Sequence, residues 1–159
     1  YEIVSRDWSS DVGSSDLGAE LMDSLPGNSI STFGGNPMSS VGALATIRYM
    51  LEHDTQGHAL AMGERLAGHL RPVVEASAVV AELRGKGLML AIETVQAGSL
   101  EPDSGVAGRI MEQARAAGLL IGKGGLYGNV LRIAPPMTVT EAEIDEAADV
   151  LVRIIEGLG

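Results

Sequence analysis

The stretch STFGGNP, residues 31 to 37, combines residue types that can bind an anion. Two glycines precede Asn-Pro and an apolar run with helical spacing follows, which predicts a helix with Asn36 as N-cap and Pro37 as its first residue. The free N–H groups and the positive dipole end of a helix start attract anions, and the Thr32 hydroxyl can donate a further hydrogen bond. A phosphate is the natural guest of such a site. The alternative is an ordinary capped helix with a glycine-rich approach, and the residues alone leave it open.

A second candidate is Arg132, within the apolar segment LRIAPP. The period of 2 in a strand places Arg132 on the face opposite to Leu131 and Ile133. An isolated guanidinium there can pair with a carboxylate of the protein or bind a ligand carboxylate through two hydrogen bonds, and both remain open. Glu93 ends the neighbouring apolar segment, and we expect it to be paired structurally. Lys86 is expected in a turn, exposed to solvent.

The other chemistry-bearing residues predict no catalytic arrangement. The cluster GKGGLYGN, residues 122 to 129, lacks the spacing of a nucleotide P-loop and has no Ser or Thr after Lys123, so we expect a mobile connection between strands. Ser39 and Ser40 lie in the first turn of a predicted helix, with no His in a plausible relay. The three histidines lie between residues 53 and 69, and His58 and His69, eleven residues apart, are too far apart along a helix to share a metal ion, so no metal site is expected.

The composition excludes several classes of protein and partner. Of the 159 residues, 45% are hydrophobic and 20% charged, which is typical of a soluble globular chain. No apolar run approaches the roughly 18 residues of a membrane span. The absence of Cys excludes disulfides and thiolate sites and favours a cytoplasmic location. The net charge is -10, with 11 basic residues scattered among 21 acidic ones, which argues against a nucleic-acid partner.

A short series of elements must position the candidate residues. Apolar spacing of three and four predicts four helices, over about residues 37 to 54, 57 to 77 and 105 to 117, and after a capping box of Thr140 with Glu143. Four strands are predicted over about residues 79 to 84, 87 to 95, 119 to 125 and 129 to 136. The order helix, helix, strand, strand, helix, strand, strand, helix indicates an α+β fold, with helices packed on a small, mostly antiparallel sheet.

The first thirty residues differ in character. VSRDWSSDVGSSDL is rich in Ser and Asp and has neither the strand nor the helix period, while a short helical turn is predicted over residues 19 to 27. The stretch also resembles the peptide that results when sequencing-adapter DNA is translated, with Gly13 where a Cys is expected. We therefore expect residues 1 to 17 to be a non-native or disordered lead-in. A native flexible linker is the alternative.

Three segments, in order and spacing, resemble one known family: STFGGNPMSSVGALATIRYML, VAELRGKGLMLAIETV and GLLIGKGGLYGNVLRIAPPMTVTEAEIDEA. Over about residues 19 to 158 the chain resembles the C-terminal third of class III, fold-type I, pyridoxal-phosphate-dependent aminotransferases. GKGGLYGNVLRIAPPM is most similar to the alanine–glyoxylate and 3-aminoisobutyrate–pyruvate branch. The resemblance implies the end of a large cofactor domain over residues 18 to 36, linking helices over 37 to 78 and a small C-terminal α+β domain over 79 to 159.

The resemblance also implies roles for individual residues. In the family, the Thr of T-F-G-G-N-P binds the phosphate of pyridoxal 5'-phosphate in the neighbouring subunit's active site, and Thr32 matches it, with Ser31 beside it as a second expected contact. Arg132 matches the Arg of the R-x-x-P-P strand, which holds the substrate's carboxylate. A homodimer with shared active sites is implied. It would move an amino group from alanine, a β-amino acid or an ω-amino acid to a 2-oxo acid such as glyoxylate or pyruvate.

One departure limits the resemblance. The family's Schiff-base lysine lies upstream of T-F-G-G-N-P, whereas the two lysines of this chain, Lys86 and Lys123, match no such motif. The chemistry of the cofactor requires that lysine. We therefore expect a C-terminal fragment of an aminotransferase, inactive alone. The alternative is a complete, non-catalytic module for small-molecule binding or dimerisation that keeps Arg132.

Overall fold

The computed structural model describes residue 24 and residues 35 to 158. The chain divides into two compact units, Tyr1–His53 and Asp54–Gly159. The predicted lead-in and the phosphate-binding residues Ser31 and Thr32 lie outside the described residues, as does all of the predicted turn at 19 to 27 except residue 24. The inferred domain division at residues 18, 37 and 79 stays a prediction.

In the first unit the described residues form helix α1, Pro37–Glu52. The predicted cap is confirmed, because the Asn36 side-chain oxygen accepts a hydrogen bond from the Ser39 N–H at 3.0 Å and Pro37 is the first helical residue. None of the α1 residues is buried. Its most exposed apolar side chains are Met38 at 87%, Leu51 at 78% and Val41 at 66%. The helix therefore carries apolar surface that its own unit does not cover.

The described part of the second unit contains the remaining helices and strands in the predicted order. The helices are α2 (Thr55–Ala76), α3 (Ser104–Ala116) and α4 (Glu141–Glu156), and the strands are β1 (Val80–Lys86), β2 (Met89–Thr94), β3 (Gly122–Gly124) and β4 (Val130–Ile133). The strands form one sheet in the order β1-β2-β4-β3, and all three pairings are antiparallel. The predicted α+β fold class is confirmed.

The two predicted connections differ from those observed. Lys86 is the exposed last residue of β1, and the turn consists of residues 87 and 88, where Gly87 takes a positive φ of 54° and lets the chain reverse. In the cluster at 122 to 129, the first three residues form β3, which lies within the strand predicted over 119 to 125, and they pair with β4 instead of being part of a connection. Only residues 125 to 129 join the two strands. This glycine-rich strand is held by backbone hydrogen bonds to β4, because its glycines have no side chains to pack.

One face of the sheet packs on the helices. The strand residues that face the helices are almost fully buried and alternate with residues that are, for the most part, half-buried or exposed; the buried ones are Leu90, Ile92, Leu131 and Ile133. Helices α2 and α3 lie against the sheet, and α4 packs on α2 and α3. The predicted capping box of α4 is confirmed, with Thr140 and Glu143 bonded reciprocally. Burial of this face leaves the opposite, open face of the sheet to carry polar side chains.

Candidate functional site

The open face of the sheet brings the charged strand residues together. The pairing register aligns Arg84 of β1, Ala91 of β2, Arg132 of β4 and Gly122 of β3 in one row across the sheet. Two strand spacings separate the two arginines, which corresponds to about 10 Å. The open face thus presents two guanidinium groups on the same row, and their surroundings differ.

The Arg132 side chain lies over Gly122 and Gly124 of β3, which have no side chains. As predicted, it is exposed and faces away from Leu131 and Ile133, which are buried. A Cβ atom built on Gly124 would lie 3.3 Å from the Arg132 Nε and 3.7 Å from its Cζ, and one built on Gly122 would lie 3.7 Å from Nε. The side chain therefore extends from β4 across β3. Among the described residues, Arg132 has no ion pair and no side-chain hydrogen bond.

Arg84, in contrast, is neutralised by two carboxylates. Its Nη1 donates to Glu82 Oε2 at 2.6 Å and also to Glu93 Oε2. The pKa of the Arg84 guanidinium is raised, first by the hydrogen bond to Glu93 and then by that to Glu82. The pKa of the Glu93 carboxyl is lowered, first by the hydrogen bond from Arg84 and then by one from Asn129. The structural pairing predicted for Glu93 is confirmed.

A buried polar cluster fixes the start of β4. Asn129 is 2% exposed and Thr94 is fully buried. The Asn129 Nδ2 donates to the Thr94 carbonyl at 3.0 Å and to Glu93 Oε1 at 3.3 Å, while the Asn129 carbonyl accepts from the Thr94 N–H and Oγ1, both at 2.9 Å. The single Thr94 hydroxyl proton is shared with the Asp103 carbonyl, which lies 2.7 Å from Thr94 Oγ1. Neither residue is predicted from the sequence, although a polar side chain between a glycine turn and an apolar strand is a signal for Asn129.

An open groove of about 840 Å³ lies at the end of the sheet where β4 stops. Its lining is mostly apolar, and the charged residues on it are Arg84, Arg132 and Glu143. The pKa of Glu143 is lowered because the Thr140 backbone N–H and then the Thr140 hydroxyl donate to its carboxylate. Since Arg84 and Glu143 are committed to protein partners, Arg132 is the charged group of the lining that can bind an anion. The arrangement suits a carboxylate with an apolar body.

The described residues do not by themselves fit pyridoxal phosphate. Thr32 and Ser31 lie outside them, and both lysines are exposed, Lys86 at the end of β1 and Lys123 in β3. A lysine that forms a cofactor linkage is ordinarily desolvated or held beside another charged group. No reaction step through the cofactor is therefore assigned to this part of the chain. Within the same described residues, no cluster of three or more potential ligands could hold a metal ion, and no helix is long and apolar enough to cross a membrane.

Comparison with known proteins gives the family. The sequence matches the family described as aminotransferase class-III over residues 15–155. It is 34% identical over 137 residues to an alanine/serine racemase of Pyrococcus horikoshii, covering 86% of this chain and 29% of that protein. It is 37% identical over 115 residues to an alanine–glyoxylate aminotransferase 2 homologue of Arabidopsis thaliana, covering 72% of this chain and 24% of that protein.

A solved structure agrees with the sequence relatives. A phospholyase from Arthrobacter, in complex with phosphoethanolamine, superposes with a TM-score of 0.81 at 30% identity, over 89% of this chain and 34% of the other. The chain thus spans a quarter to a third of the length of these proteins. The fold expected from the resemblance, part of a fold-type I transferase, is confirmed. This chain belongs to the class-III aminotransferase family.

Proposed function

We propose that the full-length protein containing this chain is a pyridoxal-phosphate-dependent aminotransferase and that Arg132 binds the carboxylate of its substrates. The observation that carries the proposal is the state of Arg132: an exposed guanidinium with no partner among the described residues, laid over Gly122 and Gly124 at an apolar groove. Arg132 would orient an amino acid or a 2-oxo acid by two parallel hydrogen bonds, and the groove would accept its apolar part.

The proposal extends to the residues outside the described range. Thr32, with Ser31 beside it, would hold the cofactor phosphate at the start of α1, where the helix dipole favours an anion. Because the lysine that the cofactor needs is absent from this chain, the 159-residue polypeptide would be inactive alone. Its homodimeric parent would be active in the cytoplasm, with alanine, a β-amino acid or an ω-amino acid as donor and glyoxylate or pyruvate as acceptor.

Two relatives define the competing activities. A racemase also binds the carboxylate of an amino acid, so Arg132 is compatible with it, whereas phosphoethanolamine has no carboxylate. An assay of the full-length protein with alanine, in the presence and absence of glyoxylate, separates amino transfer from racemisation. Consumption of alanine only when glyoxylate is present supports the transferase. Conversion of L- to D-alanine without an acceptor would contradict it.

The role of Arg132 is tested by substitution in the full-length protein. We expect Arg132→Ala to raise KM for alanine and for glyoxylate by about 10- to 100-fold, because a hydrogen bond to a charged group contributes about 1.5–3 kcal/mol. An amine donor without a carboxylate should be unaffected. Arg115→Ala is the control, since Arg115 is an exposed arginine paired with Glu112 within α3. Unchanged KM values in Arg132→Ala would refute the assignment.

A further inference from the structure

Glu93 is the carboxylate that the sheet places diagonally opposite Arg132. Glu93 pairs with Val130 and Arg132 pairs with Ala91, so the two residues are diagonal neighbours on adjacent strands of the open face. Diagonal neighbours lie roughly 7–8 Å apart, within reach of long side chains. A Glu93 side chain turned toward β4 would therefore meet the Arg132 guanidinium and neutralise it.

In the structure the ends of the two side chains have different neighbours, and the two residues form no ion pair. The Arg132 Cζ lies 3.7 Å from the Cβ position of Gly124, and Gly124 lies on the same cross-strand row as Val130 and Glu93. The guanidinium thus reaches the row of Glu93, but over β3. The Glu93 carboxylate is bonded to Arg84, which is on β1 at the opposite edge of the sheet.

Two residues bind the Glu93 carboxylate, one on β1 and one just before β4. Arg84 binds its Oε2, and the Nδ2 of Asn129 donates to its Oε1 at 3.3 Å. Asn129 is itself anchored, because its Nδ2 also donates to the buried Thr94 carbonyl at 3.0 Å. Both oxygens of the Glu93 carboxylate are therefore occupied, one by an exposed cation and one by a buried amide.

We propose that Asn129 and Arg84 are positioning residues that keep the Glu93 carboxylate away from Arg132, so that Arg132 stays available to the carboxylate of a substrate. The inference rests on the proposed function, because it takes Arg132 as the substrate's ligand. Diagonal neighbours are within reach of each other, so a released Glu93 carboxylate would form an exposed ion pair with Arg132. Glu93 would then compete with the substrate carboxylate for the same guanidinium.

The test uses the full-length protein and two independent ways to release Glu93. Arg84→Gln removes the exposed partner, and Asn129→Ala removes the buried one; each is also combined with Glu93→Gln. The first readout is the rate at which phenylglyoxal modifies Arg132, measured by peptide mass spectrometry, since the reagent needs an unpaired guanidinium. The second readout is the inhibition constant of propionate, a simple carboxylate that competes with the amino donor.

We expect each release variant to slow the modification of Arg132 and to raise the inhibition constant of propionate, both by about two- to fivefold, the size of an exposed ion pair. Adding Glu93→Gln should restore both values, because the competing charge is then gone. Thr94→Val is the matched control. It removes a hydroxyl from the same buried cluster without releasing Glu93, and should lower stability while leaving the modification rate unchanged.

The outcomes separate this inference from the proposed function. Unchanged modification in Arg84→Gln and Asn129→Ala, or a loss that Glu93→Gln does not restore, overturns the inference even where Arg132→Ala weakens propionate binding. Should Asn129→Ala fail to fold, the exposed Arg84→Gln decides alone. If Arg132→Ala leaves propionate inhibition unchanged, the proposed function fails as well, whatever the modification rates show.

Discussion

At the scale of single residues, Arg84 and Arg132 show that a charge acquires its role from its neighbours. Both are exposed arginines on one row of the open face. Arg84 donates hydrogen bonds to two carboxylates, whereas Arg132 lies beside two glycines. The two glycines leave room for the guanidinium and offer it no polar side chain. The difference explains why Arg132, and not Arg84, is the candidate for ligand binding.

The glycine beside the Arg132 guanidinium gives a prediction at this scale. A Cβ on Gly124 would lie 3.3 Å from the Arg132 Nε, so Gly124→Ala must displace that side chain by a few tenths of an ångström. We expect KM for carboxylate substrates of the full-length protein to rise several-fold, because a displaced guanidinium no longer aligns both of its parallel hydrogen bonds with the carboxylate. Gly122→Ala is the control, since its Cβ would make an ordinary 3.7 Å contact. Equal effects of the two substitutions would argue against a steric cause.

At the scale of elements, the close approach of α2 to the β1–β2 turn depends on Gly63. A Cβ there would lie 2.0 Å from the Gly87 carbonyl oxygen, so Gly63→Ala must separate helix and turn. We expect a loss of about 1–3 kcal/mol in the free energy of unfolding, measured by denaturant titration. Gly68→Ala, on the same helix with nothing within 4 Å of its Cβ, should instead stabilise by up to about 1 kcal/mol. A neutral Gly63→Ala would show that the turn moves without cost.

The capping box of α4 gives a prediction for how the melting temperature falls at acidic pH. The pKa of Glu143 is lowered in the folded chain by its bonds from Thr140, so its contribution is present above its ordinary value of 4.5 and is lost as the pH falls through the lower folded value. We expect Glu143→Gln to flatten the decline in melting temperature below about pH 4.5. Asp145, whose pKa is lowered by Arg65, should maintain the remaining slope.

Glu146→Gln is the control for this experiment, because Glu146 lies on the same helix, exposed and with no polar partner among the described residues. This substitution should leave the decline in melting temperature at acidic pH unchanged. An identical slope in Glu143→Gln and in the unsubstituted chain would refute the contribution of the cap.

The helices and strands also show which features of the structure can be predicted from the sequence. The order of helices and strands, the cap at Asn36 and the box at Thr140 depend on neighbours within four residues, and the structure confirms them. The bond from Asn129 to Thr94 spans 35 residues, and Arg84 meets Glu93 only through the register of the hairpin. No local period encodes such pairs, because they depend on which strands become neighbours. Periodicity therefore leaves the role of Arg132 open, and only the family resemblance implies it.

At the scale of the whole molecule, the exposed apolar residues of α1 indicate a surface that other protein covers. Met38, Val41 and Leu51 are more than half exposed, and large exposed apolar surface marks contact with other protein. The relatives are three to four times as long as the part matched here. We therefore expect the remainder of the full-length protein, or its second subunit, to cover α1.

The subunit sharing implied for Thr32 leads to a prediction on hybrid dimers. If Thr32 serves the neighbouring subunit's cofactor while Arg132 serves its own subunit's substrate, a dimer of one Thr32→Val and one Arg132→Ala subunit has both defects in one site and none in the other. We expect such a full-length hybrid, purified through two different affinity tags, to show about half the activity of the unsubstituted dimer, whereas both mutant homodimers have two defective sites. Transamination of glyoxylate at subsaturating alanine measures it. A hybrid no more active than the average of its parents would mean that Thr32 and Arg132 act in the same subunit's site, because each of its two sites would then carry one defect.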